Sequence, residues 1–215
     1  MQLDTAWHRN VELKARCSDL QRALERVYDL APTSALSRLP DEHQVDTYFR
    51  VPHGRLKLRE IALQDTPSDT FAAPMMMAGS AASEDSSDSL LLWRPSSAQL
   101  IWYDRPDERA SKTSRYQLVH IAEPKALKVS LTAACGLLVE VVKNRTIFLW
   151  DHIRIHLDQV GALGTFLEFE VVLSPEAATQ DGETRIRQLR EHFGIADRDL
   201  LGCSYSDLLL GQERC

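Results

Sequence analysis

Charged residues recur at every second position in several short segments of this chain. Glu12 and Lys14 follow this spacing near the N-terminus, and Arg55, Lys57 and Arg59 follow it in the next such segment. Side chains two positions apart lie on the same face of a β-strand, so each segment predicts a strand with one charged and one apolar face. Rows of Lys and Arg suit a polyphosphate, because guanidinium forks match phosphate oxygens and Lys supplies point charge.

The same alternation returns in the C-terminal half of the chain. Its members are Lys143 with Arg145, Arg154 with His156 and Asp158, and Glu168 with Glu170. Carboxylate oxygens are the ligands that Mg²⁺ and Mn²⁺ prefer, and these ions bridge carboxylates to phosphates. Glu12, Glu168 and Glu170 would converge on such an ion if the first and last strands of the sheet met.

The cationic rows belong to a chain that is acidic overall. There are 25 Lys and Arg against 31 Asp and Glu, a net charge of -6, which argues against a general binder of nucleic acid or anionic membranes. If the sheet closes into a barrel, the rows line its interior and apolar residues face outward beneath helices. An interior of this kind would repel itself when empty, so we expect an anionic ligand inside it.

The elements that must carry these rows follow from the hydrophobic pattern. Period-two alternation rich in Val, Ile, Leu, Tyr and Phe predicts eight strands, at residues 10–17, 46–51, 56–63, 98–104, 114–121, 138–150, 152–157 and 165–173. Helices are predicted at residues 18–30, 124–135, 175–193 and 205–210. Eight strands with few helices indicate a β-rich α+β fold.

Residues 64–89 stand apart in composition. They are rich in Ser, Asp, Ala and Thr, and no Lys or Arg occurs between Arg59 and Arg94. Such a segment buries too little apolar surface to offset its ordering entropy, so we predict a disordered insertion. The remainder is expected to form a single domain spanning 1–215.

The compartment is predicted from three absences. No stretch approaches the ~18 consecutive apolar residues of a membrane span, and residues 1–10 lack the apolar run of a signal peptide. Cys17, Cys135, Cys203 and Cys215 form no CxxC pair, which favours reduced thiols. We expect a cytoplasmic protein, monomeric or homodimeric, that acts on neither membranes nor nucleic acids.

A series of short motifs occurs in order along the chain. They are NVELKAR at 10–16, DTYF at 46–49, GRLKLRE at 54–60, YDRP at 103–106, VKNR at 142–145, RIHLD at 154–158, GTFLEFE at 164–170 and CSYSDLL at 203–209. Together they resemble the CYTH family of triphosphate tunnel metalloenzymes, with the first motif similar to its ExExK signature. The resemblance implies a tunnel formed by a closed, eight-stranded antiparallel β-barrel. It also implies an enzyme that needs a metal ion and acts on triphosphates.

The resemblance also implies roles for particular residues. Triphosphate binding and charge stabilisation would fall to Lys14, Lys57, Arg59, Arg105, Lys143, Arg145 and Arg154. Mg²⁺ or Mn²⁺ would be held by Glu12, Glu168 and Glu170, with Asp158 as a further candidate.

Asn10 departs from the family pattern, which has a carboxylate at this position. An amide oxygen still ligates a hard cation but supplies no charge, so we expect a weaker metal site or a loss of activity. Asp46 or Asp158 would be the compensating carboxylate. Arg16 and Arg55 lie on the charged faces without an assigned role.

Three functions remain open at this point. The first is metal-dependent hydrolysis of tripolyphosphate, thiamine triphosphate or a nucleoside triphosphate. The second is the class IV adenylyl cyclase reaction, which forms cyclic AMP from ATP, and the third is a module that binds polyphosphate without turnover. The chain contains no GxxxxGK[ST] or GxGxxG loop, which removes P-loop and Rossmann nucleotide sites from consideration.

Overall fold

The computed structural model describes residues 8–64, 93–104, 112–174, 176 and 178–211. The strands are β1 His8–Arg16, β2 Leu36–Arg38, β3 Glu42–Phe49, β4 Arg55–Gln64, β5 Trp93–Asp104, β6 Lys112–His120, β7 Leu137–Trp150, β8 Ile153–Val160, β9 Gly164–Leu173 and β10 Leu200–Leu201. The helices are α1 Leu20–Leu30, α2 Pro124–Cys135, α3 Thr179–Phe193 and α4 Tyr205–Leu209, with 3-10 turns at Thr33–Ala35 and Asp197–Asp199. The insertion predicted at 64–89 lies outside the described residues except for Gln64, and so does Arg105.

Eight of the strands close into an antiparallel barrel, as predicted. The order around the barrel is β1-β6-β5-β4-β3-β7-β8-β9, and β9 pairs with β1 to complete the ring. The short strands β10 and β2 extend the sheet beside β1 and β7. Neither was predicted, because two or three residues are too few to show an alternation.

The apolar faces of the strands point outward, toward α1 and α3. Val11, Leu13 and Ala15 on β1 belong to one core cluster with Leu24 of α1 and Leu189 of α3. Ile155 on β8 and Phe169 on β9 are fully buried in the same cluster. Because strand side chains alternate, burying these residues outside the barrel directs the charged rows inward.

Two predicted helices begin later than the pattern indicated. Helix α1 starts after Asp19, whose carboxylate accepts a hydrogen bond from the backbone N–H of Arg22. Helix α3 starts at Thr179, four residues after the predicted position, and ends at Phe193, with Gly194 as its C-cap at φ of 67°. The predicted start at Pro175 depended on the suitability of proline for the first turn of a helix, which does not by itself determine where a helix starts.

Helix α4 lies at one end of the barrel. The side chains and backbone of Ser204 and Asp207 form a reciprocal capping box, which fixes the start of this short helix. Tyr205 packs into the cluster formed by Tyr48, Tyr103 and Phe166. Cys203, the residue before Ser204, is disulfide-bonded, whereas Cys17 and Cys135 are free. The expectation of fully reduced thiols is therefore wrong at Cys203.

None of the helices in the described part of the chain is long and apolar enough to cross a membrane.

Candidate active site

The register of β1, β8 and β9 places charged rows side by side inside the barrel. Glu12 on β1 is paired with Glu170 on β9, and Lys14 is paired with Glu168. His156 on β8 is the partner of Glu168 on its other side. Cross-strand neighbours on one face have Cβ atoms about 5 Å apart. One wall of the barrel therefore brings together three carboxylates, a histidine and a lysine.

Three of these residues could hold a metal ion. One ligand atom from each of His156, Glu168 and Glu170 lies within 4.8 Å of the other two. His156 Nδ1 is 3.4 Å from Glu168 Oε2 and 4.0 Å from Glu170 Oε1. His156 was not among the predicted ligands. The available signal was its position between Arg154 and Asp158 on a charged strand face.

Asn10 indicates that a cation fits this wall. Its side chain faces the interior two residues before Glu12 on β1, and the residue is 4% exposed. Its Oδ1 atom has no hydrogen-bond partner among the described residues. A buried acceptor left unpaired costs roughly 1–3 kcal/mol, which a cation or a cation-bound water would offset. The carboxylate and amide oxygens suit a divalent ion such as Mg²⁺ or Mn²⁺, and the imidazole nitrogen suits Mn²⁺ better than Mg²⁺.

A second cluster is built around Asp46 on β3. Its Oδ1 accepts a hydrogen bond from Arg59 Nε at 2.6 Å, and its Oδ2 accepts one from Arg59 Nη2 at 2.7 Å. Lys57 Nζ and Lys143 Nζ lie 2.9 and 3.4 Å from Oδ2. Burial alone would raise the pKa of Asp46, but the three cations outweigh it and hold that pKa well below the ordinary value. Asp46 therefore stays ionised and orients the three cations around it.

The two lysines of this cluster are perturbed in return. Burial, together with the neighbouring Arg59, lowers the pKa of Lys57 to about 8 despite the opposing effect of Asp46. Burial and the nearby Arg145 also lower the pKa of Lys143 well below its ordinary value. Desolvation disfavours a charged amine unless an anion is near. A phosphate group beside these lysines would restore their charged form.

A third cluster joins β7 and β8 to α4. Arg145 donates from Nε and Nη2 to the two carboxylate oxygens of Asp158, both at 2.6 Å, and Nη2 also lies 2.6 Å from Glu168 Oε2. Tyr205 donates its hydroxyl to Asp158 Oδ2 at 2.7 Å. Burial would raise the pKa of Asp158, but Arg145 outweighs it and holds the pKa low. Lys14 Nζ lies 3.9 Å from the centre of the Tyr205 ring, so Tyr205 forms part of the site where α4 meets the barrel.

The barrel interior is not an uncompensated cationic surface, contrary to the expectation from the sequence. Every predicted phosphate-binding residue in the described part of the chain is paired with a carboxylate. The pairs are Lys14 with Glu168, Lys57, Arg59 and Lys143 with Asp46, Arg145 with Asp158 and Glu168, and Arg154 with Glu170. The carboxylates that offset the charge are distant in sequence, so a strand-by-strand pattern could not reveal the balance.

The remaining predicted residues occupy the margins of the site. Arg154 Nη1 is 3.6 Å from Glu170 Oε2, and its side chain is 45% exposed. Arg55 donates to Asp207 of α4 at 2.9 Å, which ties β4 to that helix. Arg16 is exposed, with its guanidinium 5.8 Å from the centre of the Phe166 ring. The candidate site is therefore the interior wall of β1, β3, β4 and β7 to β9.

Comparison with known families tests the resemblance. The family model for the CYTH domain matches residues 8–205, from the start of β1 to the start of α4. The chain belongs to the CYTH family. The match covers the strands that carry the three clusters. No curated protein sequence matches this chain.

CYTH-like folds also appear among solved structures. The PH1012 protein from Pyrococcus horikoshii OT3 superposes with a TM-score of 0.65 at 17% identity, covering 93% of this chain and 98% of its own. A Vibrio parahaemolyticus protein described as a candidate adenylate cyclase gives 0.63 at 18% identity, covering 94% and 97%. The Mimivirus capping enzyme triphosphatase gives 0.51 at 12% identity, covering 88% and 90%. At these identities the likeness concerns the fold alone.

Proposed function

We propose that this CYTH protein hydrolyses the terminal anhydride of a triphosphate with the help of Mg²⁺ or Mn²⁺. The observation that carries the proposal is the contact of two buried clusters through one residue. Glu168 belongs to the candidate metal-binding group and also contacts Lys14 and Arg145. A site that binds a metal ion and phosphate oxygens a few ångströms apart suits phosphoryl transfer.

The chain's own residues would act mainly by positioning and charge stabilisation. Lys14, Lys57, Lys143 and Arg145 would bind the phosphate oxygens and stabilise the negative charge that develops in the transition state. Asp46 fixes the directions of Lys57, Arg59 and Lys143 before substrate arrives. Asp158 does the same for Arg145.

The metal ion would be held by His156, Glu168 and Glu170, with Glu12 and the amide oxygen of Asn10 beside them. When bound, it supplies Lewis-acid polarisation of phosphate oxygens. In the reaction a water oxygen bonds to the terminal phosphorus as the bridging P–O bond breaks. The products are orthophosphate and the corresponding diphosphate.

The proposal is tested by phosphate release from tripolyphosphate, thiamine triphosphate and ATP, with Mg²⁺ or Mn²⁺ present. Metal-dependent release that falls at least about 100-fold in Glu170→Gln supports it. The matched control is Glu25→Gln on the exposed face of α1, which should retain full activity. Formation of cyclic AMP and pyrophosphate from ATP would replace hydrolysis by the cyclase reaction. Binding of tripolyphosphate without turnover would leave only a binding module, with Asn10 as the departure that explains it.

A further inference from the structure

Glu168 is shared between two cationic side chains and the candidate metal-binding group. Oε1 accepts a hydrogen bond from Lys14 Nζ at 2.6 Å, and Oε2 accepts one from Arg145 Nη2 at 2.6 Å. The same Oε2 is 3.4 Å from His156 Nδ1, within the candidate metal-binding group. The Glu168 side chain is 9% exposed, so water cannot readily replace a lost partner. A metal ion at Glu168 would lie close to both the Lys14 ammonium and the Arg145 guanidinium, and like charges repel strongly at a buried site, so the two side chains compete with the metal ion for this carboxylate.

Lys14 depends on Glu168 more than Arg145 does. Arg145 keeps two hydrogen bonds to Asp158 whatever Glu168 binds. Lys14 has no second carboxylate within 4.0 Å among the described residues, and its other close contact is the Tyr205 ring. If Glu168 turned to a metal ion, Lys14 would be left buried without a counter-charge. A phosphate oxygen is the anion that would take the place of Glu168.

The electrostatics of Glu168 agree with this competition. Burial would raise the pKa of the carboxyl, but Lys14 and Arg145 outweigh it and hold the pKa well below the ordinary value. The carboxylate is thus ionised and committed to the two cations in the ligand-free protein. Binding of either the metal ion or the triphosphate requires that Glu168 lose part of its contact with Lys14 and Arg145.

We infer that Glu168 couples the binding of the two ligands of the proposed function, the metal ion and the triphosphate. In the ligand-free protein its carboxylate binds Lys14 and Arg145, and a divalent cation that binds the carboxylate displaces them. When Glu168 ligates the cation, Lys14 and Arg145 turn to phosphate oxygens, so each ligand raises the affinity for the other. The inference rests on the proposed function, because it requires both ligands to bind in this barrel. By linkage the effect is reciprocal.

The first test measures tripolyphosphate binding to Glu168→Gln by calorimetry in EDTA, and Mn²⁺ binding to the same variant without phosphate. The neutral amide no longer competes for Lys14 and Arg145. Metal-free tripolyphosphate should therefore bind about 5-fold tighter or more than to the wild type, while Mn²⁺ alone binds at least about 10-fold more weakly. A residue with a purely structural role would weaken both affinities, and a plain metal ligand would leave the first unchanged. Either of those results overturns the inference.

The matched control is Glu170→Gln in the adjacent position of the same group. Its nearest described cation is Arg154, 3.6 Å away and half exposed, so solvent already screens the pair. Mn²⁺ should bind more weakly, while metal-free tripolyphosphate affinity stays within about 2-fold of the wild type. A gain in Glu170→Gln as large as in Glu168→Gln would show a general charge effect and overturn the specific role of Glu168.

A second variant tests the coupling from the other side. Lys14→Gln removes the cation that lies 2.6 Å from Glu168 Oε1, so Mn²⁺ alone should bind more tightly than to the wild type. Unchanged or weaker Mn²⁺ binding in Lys14→Gln overturns the inference even if Glu168→Gln fails to fold. If the wild type binds no tripolyphosphate with or without Mn²⁺, the proposed function itself fails. If the wild type binds it but neither variant shifts as stated, only the coupling fails.

Discussion

Arg145 and Asp158 face each other across β7 and β8 and form two parallel hydrogen bonds with N–O distances of 2.6 Å. Asp158 is fully buried and Arg145 is 4% exposed. The pair also holds Tyr205 of α4 at the end of the barrel, 2.7 Å from Asp158. This ion pair therefore connects β7, β8 and α4, and it orients the Arg145 side chain that we propose binds phosphate.

We expect Asp158→Asn to be strongly destabilising. Arg145 would keep only Glu168 as a carboxylate partner, and removing one charge of a buried pair costs about 3 kcal/mol or more. In a chain of this size that lowers the melting temperature by on the order of 10 °C. Thermal unfolding followed by circular dichroism measures the change. Asp197→Asn removes the exposed partner of Arg190 and should melt like the wild type; similar melting of the two variants would contradict the buried pair's role.

Tripolyphosphate binding should take up protons near pH 8. The pKa of Lys57 is about 8 in the ligand-free barrel because of burial and Arg59, so part of the amine is neutral there. A bound phosphate favours the charged amine and raises this pKa, so the protein gains protons on binding and loses affinity as the pH rises above 8. Calorimetry in two buffers of different ionisation enthalpy counts the protons.

The matched variant is Lys57→Arg, whose guanidinium stays charged throughout this range. It should take up fewer protons per tripolyphosphate than the wild type at pH 8. Protonation of tripolyphosphate itself is common to both proteins and cancels in the difference. Equal uptake by the two proteins would show that Lys57 does not change its protonation on binding.

His156 should favour Mn²⁺ over Mg²⁺ at the candidate metal site. An imidazole nitrogen is a better ligand for a first-row transition ion than for Mg²⁺, which prefers oxygen. We expect His156→Gln to lower Mn²⁺ affinity more than Mg²⁺ affinity, as measured by electron paramagnetic resonance of free Mn²⁺ with Mg²⁺ competition. His152→Gln, in the exposed turn between β7 and β8, should leave the ratio unchanged. A constant ratio in His156→Gln would exclude the imidazole from the metal's ligands.

Gly182→Ala should destabilise the packing of α3 on the barrel despite the better helix propensity of Ala. A Cβ at this position would lie 2.7 Å from Val11 Cγ2 and 3.2 Å from Leu173 Cδ2. Overpacking of this kind costs about 1–3 kcal/mol, against a propensity gain of roughly 1 kcal/mol. Urea denaturation should show a net loss. The control is Glu183→Ala, exposed on the same helix, which gains only helix propensity and should be neutral or slightly stabilising. Unchanged stability of Gly182→Ala would mean that β1 shifts to make room for the added methyl group.

The pattern of single strands predicted which residues face the interior. Alternation with period two is a local property, because consecutive side chains of a strand point to opposite sides. The inward positions of Lys14, Lys57, Asp46 and Arg145, and the outward position of Leu13, follow from it directly. The closed eight-stranded barrel was also predicted, and the order of short motifs carried the family resemblance.

Partnership between side chains was decided only by closure of the barrel. Asp46 and Asp158 were the two candidates to compensate for Asn10 at the metal site, and the register of β3 with β4 and β7 places Asp46 among three cations. His156 entered the candidate metal group because β8 pairs with β9 in the register that sets it against Glu168. Register depends on contacts between residues far apart in sequence. The sequence alone therefore determined the two faces of each strand and the family, while the tertiary structure decided which carboxylate neutralises which cation.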